Sequence, residues 1–350
     1  MKEMQSMKVQ GRCTVVGGAL WLTFPLSQVQ FTLRKASSLR LGLLGDETAE
    51  NPEKPVQKAR FALYLNGEKA ADCRMLTKKA ELACRLDPAK EYDVRLVKLS
   101  ECTQSLMALE AVETDGEMVA VPPKGLKIEF IGDSITCGYG VEGKCGEETF
   151  STATENAEKS YAGLTAAALD ADVQLNSYSG FGIVSGWTGD PSVRNDAILV
   201  PMFYEKTGMS DSRLPDGSFL QELPWDFSRW QPQVVVIILG TNDLSWCVSP
   251  DRKEFFRREY AAFLKTVRKC RPQARMLCML GVMGTGLNEA MAGAVEDYRR
   301  ETGDARIRVR LLEEQNQKED GVGSDFHPSE KTQRKLAEIV ISEIQTWMKE

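Results

Sequence analysis

One histidine in 350 residues is the sharpest scarcity in this sequence. Whatever acid–base work an imidazole does here must pass through His327. Long apolar runs are missing as well. No window approaches the ~18 apolar residues of a membrane-spanning helix, which excludes a transmembrane reading. Positive charge is not in excess: the formal net charge is −6, with 17 basic and 16 acidic residues up to position 122 and 27 against 34 beyond it. So acidic a second part repels phosphate backbones and excludes nucleic acid as the main partner. The nine cysteines (13, 73, 84, 102, 137, 145, 247, 270, 278) are odd in number and form no C-x-x-C pair. This points to a reducing compartment, where a thiol such as Cys278, set in an apolar run, behaves as a small hydrophobe. No apolar core is present between Met1 and Gly11, so no signal peptide is read. The expectation is a cytoplasmic protein if the chain is full length and a secreted one if it was trimmed.

What is present divides in two. A length of 350 residues with 42% hydrophobic content suggests about two domains with sizeable cores. Up to about residue 117 the pattern is of short alternating runs, at 20–24, 28–33, 39–44, 61–65, 70–74, 92–97 and 109–112. Asn66-Gly67 supplies the positive φ values of a type I′ hairpin turn between two of them. With no helical period of any length, this reads as an antiparallel β-sandwich over residues 1–122. Gly116, Pro122, Pro123 and Gly125 mark a boundary. From 123 to 350 strands at 128–131, 173–178, 234–239, 276–280 and 306–312 alternate with helical spacing at 155–169, 254–267, 288–300 and from Ser329 onward. The first of these helices has Thr152 or Thr154 as its expected cap. Such alternation means a parallel α/β sheet. The stretch 182–231, with Trp187, Trp225 and Trp230, is far longer than a usual connection and is expected to help build a binding site, with Trp225 and Trp230 packing it down.

The chemistry concentrates where the strand at 128–131 breaks off at Gly132-Asp133-Ser134. This turn either presents Ser134 as a nucleophile or merely caps the next helix. Cys137 is an alternative nucleophile three residues on. A serine needs a base, and His327 sits among turn-formers before the last helix, where α/β domains place crevice residues. Acyl transfer also needs oxyanion donors, and two strand ends offer them: Asn242 in Leu239-Gly-Thr-Asn-Asp243 and Gly180 in Ser177-Tyr-Ser-Gly-Phe-Gly182. Asn242 reads equally as an Asx-turn residue, and Gly182 as an alternative to Gly180.

Gly132-Asp-Ser134, Gly180, Gly240-Thr-Asn242-Asp243 and a late His327 followed by proline resemble, in order, the blocks of the SGNH (GDSL-type) hydrolase superfamily. More narrowly, the preceding β-sandwich, 151–156 and Asp226-Phe-Ser-Arg-Trp230 look like carbohydrate esterase family 2, the acetyl xylan esterases. The resemblance implies a jelly-roll-like sandwich followed by a flavodoxin-like three-layer α/β hydrolase domain. It also implies an O-acetylated oligo- or polysaccharide substrate and neither cofactor nor metal. Ser134 and His327 would be catalytic, with Asp325 or a backbone carbonyl orienting the histidine. Ser134, Gly180 and Asn242 would form the oxyanion hole, and Trp187, Trp246 and Asp133 are the candidate substrate contacts. Where superfamily members commonly carry an aspartate, three residues before the histidine, this chain has Ser324. The rival readings are a lipase- or thioesterase-type acyl hydrolase of the same superfamily and a carbohydrate-binding protein with little catalysis. The G-x-S-x-G elbow of the α/β-hydrolases is absent.

Overall fold

The computed structural model describes residues 6–350. Residues 8–120 form two antiparallel sheets. One has the strand order Lys8–Gln10, Gln28–Arg34, Tyr92–Lys98, Arg60–Leu65, Glu68–Arg74, with Glu117–Ala120 also on Gln28–Arg34. The other runs Cys13–Val16, Ala19–Leu22, Met107–Thr114, Ser38–Gly45, Lys79–Arg85. Period-2 alternation drives this arrangement: Leu39, Leu41 and Leu43 on one strand and Val29, Phe31 and Leu33 on another are fully buried between the sheets. The Asn66-Gly67 turn has φ values of 53° and 80°, and Leu65 pairs with Glu68, as a type I′ hairpin requires. Lys79–Arg85 was not among the expected strands. Its inward face is only Ala80, Leu82 and Cys84, too small an apolar signal to stand out.

From Leu126 the chain builds a five-stranded, all-parallel sheet in the order Ala171–Ser177, Leu126–Gly132, Val234–Ile238, Arg275–Leu280, Ile307–Leu311. Val234–Ile238 is buried at every position because helices cover both faces of such a sheet. Tyr161–Ala168 packs with Glu330–Met348, and Pro250–Cys270 with Asn288–Thr302. Right-handed crossovers put these pairs on opposite faces, since the first connection runs one way from Leu126–Gly132 and the later ones run the other. The result is the expected three-layer, flavodoxin-like order. One helix is shorter than its spacing suggested: 155–169 is a 3-10 turn, Ala157–Lys159, followed by Tyr161–Ala168. Ser160 is the cap, accepting from the Gly163 N–H, while Thr152 and Thr154 bond elsewhere. The final helix is capped by Ser329 and buries Leu336, Val340, Ile344 and Trp347.

The two parts share one apolar core. Trp21, Phe24, Leu26, Leu99 and Leu106 of the sandwich lie in the same buried cluster as the parallel sheet. A charged clamp reinforces it. Glu129, on the parallel strand Leu126–Gly132, accepts from Arg271 Nε at 2.6 Å and from Arg12 of the sandwich at 3.2 Å, and all three side chains are fully buried. Burial opposes the ionised carboxylate, but the Arg271 and Arg12 guanidiniums outweigh it and hold the group below its ordinary range. The stretch 182–231 serves mainly as a brace across this junction. Its Arg213 N–H donates to Glu47, Arg229 to the Cys13 carbonyl, and Trp225 is buried beside Arg12.

Candidate active site

Three adjacent parallel strands end at one place. Because the chain leaves Leu126–Gly132 first to one side and later to the other, a crevice opens beyond their carboxyl ends. Ser134 follows Leu126–Gly132, Gly180 follows Ala171–Ser177, and Asn242 follows Val234–Ile238. They line one cleft of about 730 Å³ together with His327, Tyr139, Trp187 and Gln104.

Gly132 makes the serine turn possible, since a Cβ there would sit 2.0 Å from Thr136 Oγ1. The cap and the nucleophile readings divide between neighbours: the Asp133 carboxylate caps the short helix Ser134–Cys137 by accepting from the Ile135 N–H at 3.0 Å, leaving Ser134 Oγ free. That oxygen lies 2.8 Å from His327 Nε2. His327 Nδ1 faces the Asp325 backbone carbonyl at 3.2 Å. The Asp325 carboxylate points away, accepting from Tyr139 Oη at 2.8 Å and the Phe150 N–H at 3.1 Å. Asp325 therefore meets the ring with its carbonyl and not with its side chain. Its φ of 48° and the 59° of Phe326, both left-handed, turn the carbonyl inward at roughly 1–2 kcal/mol each. Ser324 is buried and ties this loop to the Gly140 carbonyl.

The carbonyl fixes the tautomer: Nδ1–H donates to it, so Nε2 is left to accept the Ser134 proton. Tyr139 covers the imidazole, with ring centroids 4.1 Å apart, and is itself stacked on Phe150. Burial pushes the His327 pKa from 6.5 to about 4 against the opposing pull of the Asp325 and Ser324 backbone, so the ring is neutral near pH 7. A neutral ring is what a general base must be.

Gly180 has φ +83°, and a Cβ there would meet only Ile198 Cδ1 at 3.8 Å; the left-handed backbone, not lack of space, calls for glycine. Its N–H donates to no backbone carbonyl among the described residues, whereas that of Gly182 is taken by Ile198 O at 3.3 Å. Asn242 commits one amide hydrogen to the Phe181 carbonyl at 2.8 Å. The other has only a 3.5 Å approach to Asp133. Sequence reasoning assigned no role to Asp243, yet its buried carboxylate accepts from the N–H groups of Ile183, Val184 and Ser185 at 2.7–3.0 Å and so holds the loop leading to Trp187. Its position directly after Asn242 was the only available signal.

Three expectations need correction. Asp133 is fully buried as a cap, so it is not a substrate contact, and burial followed by the charge of Asp243 raises its pKa to about 7. Trp246 does not line the cleft; its ring packs edge-on to Phe255 and between Arg194 and Arg252. Of the stretch 182–231 only Trp187, 62% exposed, reaches the cleft. Cys137 is no rival nucleophile either: it is fully buried, with its thiol held far above its ordinary pKa by burial and then by Glu101. Among the described residues one group, Glu101, Cys137 and Glu155, brings three potential ligand atoms within 4.8 Å. Burial and the charge of Glu101 hold Glu155 well above the usual carboxylate range, and the Lys98 ammonium bonds the Glu101 carbonyl at 3.1 Å. Burial thus disfavours the anionic forms of Glu155 and Cys137, the forms a metal ion would need.

Residues 130–335 match the GDSL-like lipase/acylhydrolase family. The chain belongs to that family, on its family two carbohydrate esterase branch. It is 36% identical over 235 residues to the cellulase/esterase CelE of Acetivibrio thermocellus, which is 65% of this chain but 26% of that protein. It is 31% identical over 241 residues to an acetylxylan esterase/glucomannan deacetylase of Cellvibrio japonicus, 68% of this chain and 62% of the relative. The chain thus spans less than two thirds of the length of these curated relatives. A family two carbohydrate esterase from Clostridium thermocellum, solved with cellohexaose, superposes with a TM-score of 0.82 at 27% identity, covering 98% of this chain and 99% of that one.

Proposed function

We propose that the chain is a serine esterase that removes O-acetyl groups from plant oligo- or polysaccharides. The observation that carries this reading is the 2.8 Å contact between Ser134 Oγ and a His327 whose other nitrogen faces a carbonyl. His327 Nε2 takes the hydroxyl proton as Ser134 attacks the acetyl carbonyl. The oxyanion is held by the N–H groups of Ser134 and Gly180 and by the free amide hydrogen of Asn242, each such donor being worth about 2.7–4 kcal/mol of barrier. His327 then returns the proton to the departing sugar oxygen. Water, activated by the same ring, releases acetate from Ser134. A carbonyl partner stabilises the imidazolium less than a carboxylate would, so these oxyanion donors carry a larger share of the catalysis.

The substrate class is supported by what the relatives act on and by Trp187, an exposed ring at the cleft edge suited to stack on a sugar face. No helix among the described residues is long and apolar enough to cross a membrane. All nine cysteines are free thiols, which fits imported oligosaccharides processed in a reducing compartment; detection of the protein outside the cell would count against that location. Ser134→Ala should lower kcat on a chromogenic acetate by about 10⁶, and retained turnover would refute the assignment. Acetylated xylan, mannan and glucan oligosaccharides identify the backbone. Nitrophenyl esters from acetate to decanoate separate this activity from a lipase-type one, which would favour the long chains.

A further inference from the structure

The sandwich sends one buried carboxylate to the loop that walls the catalytic crevice. Glu101 lies between the strands Tyr92–Lys98 and Met107–Thr114 and is fully buried. One of its oxygens accepts from the Ser179 N–H at 2.8 Å and lies 3.8 Å from Sγ of Cys137, on the helix that carries Ser134. The other accepts from Gln104 Nε2 at 3.3 Å, and Gln104 lines the cleft. Its own backbone is fixed: the N–H donates to Glu155 at 3.1 Å, and the carbonyl accepts from Lys98.

The Ser179 N–H immediately precedes the peptide unit that carries the Gly180 N–H. On the far side, the Gly180 carbonyl accepts from the Trp187 N–H at 2.8 Å, and the Phe181 N–H turns back to the Tyr178 carbonyl. With both flanks held, the Gly180 N–H is the group left to face the cleft. We infer that Glu101 is a positioning residue for the oxyanion site: from the neighbouring domain it anchors the Ser179 N–H, next to the peptide unit that carries the Gly180 N–H, making the sandwich a working part of catalysis and not only an appended module. This rests on the hydrolase reading above. A misplacement of about 1 Å at a reacting centre can cost 10²-fold in rate, so a loosened anchor should be visible in kcat.

The test uses the full chain and a chromogenic acetate. Glu101→Asp withdraws the carboxylate by one methylene and should lower kcat at least tenfold with KM within twofold; should it not fold, Glu101→Leu takes its place. Glu101→Gln keeps an acceptor oxygen and should recover kcat to within threefold of the parent. A general structural role predicts instead that both variants lose activity in step with their thermal stability, and that result overturns the inference. So does a loss confined to KM, or an Asp variant within threefold of the parent. Ser134→Ala is run alongside. If it is active, the hydrolase reading fails; if it is dead beside an unimpaired Glu101→Asp, only the positioning role fails.

Discussion

Removing the Asp243 carboxylate gives the most demanding test of how the site is held. Its two oxygens accept from three consecutive backbone N–H groups, Ile183 at 2.9 Å, Val184 at 2.7 Å and Ser185 at 2.9 Å, and none of the side chain is exposed. Asp243→Ala leaves three buried donors without partners, at about 1–3 kcal/mol each, so the loss should be about 6 kcal/mol, a fall in Tm of about 10 °C. Asp243→Asn should behave differently. Burial, outweighing the three N–H groups, raises the Asp243 pKa from 3.8 to about 6. That rise corresponds to roughly 3 kcal/mol against the anion in the folded state at pH 7. A neutral amide loses the charge-assisted part of each hydrogen bond but escapes that cost, so the Asn variant should stay within about 2 kcal/mol of the parent. The sign carries a pH signature. Because the folded pKa is the higher one, the penalty on the parent appears as pH rises from 3.8 through 6, and the parent's margin over Asn should shrink across that window. Function should follow, since this loop leads to Trp187, whose N–H steadies Gly180: the Ala variant should lose kcat as well as stability. Thermal unfolding between pH 4 and 7, with kcat measured on the folded protein, decides the matter. An Ala variant within 2 °C of the parent, or an Asn variant as unstable as Ala, would refute the reasoning.

Three further outcomes follow from other parts of the structure. Folding lowers the His327 pKa from 6.5 to about 4, so kcat/KM should hold as pH drops below 6.5 and fall only toward about 4; an acid limb at or above 6.5 would contradict the burial of the ring. Arg12→Ala removes one guanidinium from the buried Glu129 clamp and should cost about 3–5 kcal/mol in denaturant unfolding, whereas a loss below 1 kcal/mol would make the clamp incidental. Trp187→Ala should raise KM for acetylated oligosaccharides about fivefold to tenfold, the ~1 kcal/mol of an exposed aromatic contact, while leaving KM for a small chromogenic acetate unchanged. Equal changes on both substrates would remove Trp187 from sugar binding.

How legible each part was follows from the range of the interaction that fixes it. Strands such as Val234–Ile238 and the Asn66-Gly67 hairpin were readable because a local pattern, an apolar run or a positive-φ dipeptide, decides them. That Ser134, Gly180, Asn242 and His327 meet in one crevice was readable because each sits at a strand end or loop whose turn residues adjoin it in sequence. Asp325 shows where that logic stops. Its side chain and a backbone carbonyl stayed open as partners of the ring, because the two successive left-handed residues that turn its carbonyl to the ring and its carboxylate to Tyr139 are invisible in composition. The junction was opaque for a stronger reason. Arg12 and Glu129 meet across 117 positions, and Glu101 and Ser179 across 78; in each case the sequence around either partner looks like an ordinary charged or polar site. The stretch 182–231 was expected to help build a binding site, with Trp225 and Trp230 packing it down; Trp225 is buried beside Arg12, only Trp187 reaches the cleft, and the rest mostly braces the sandwich. Two of these placements share one direction: the stretch 182–231 and Glu101 both lie at the interface between sandwich and sheet, and the cleft that holds Ser134 opens beside that interface. A crevice built this way keeps its oxyanion geometry only while both parts remain docked, so loss of the Arg12–Glu129 clamp should depress kcat on the folded protein before it raises KM.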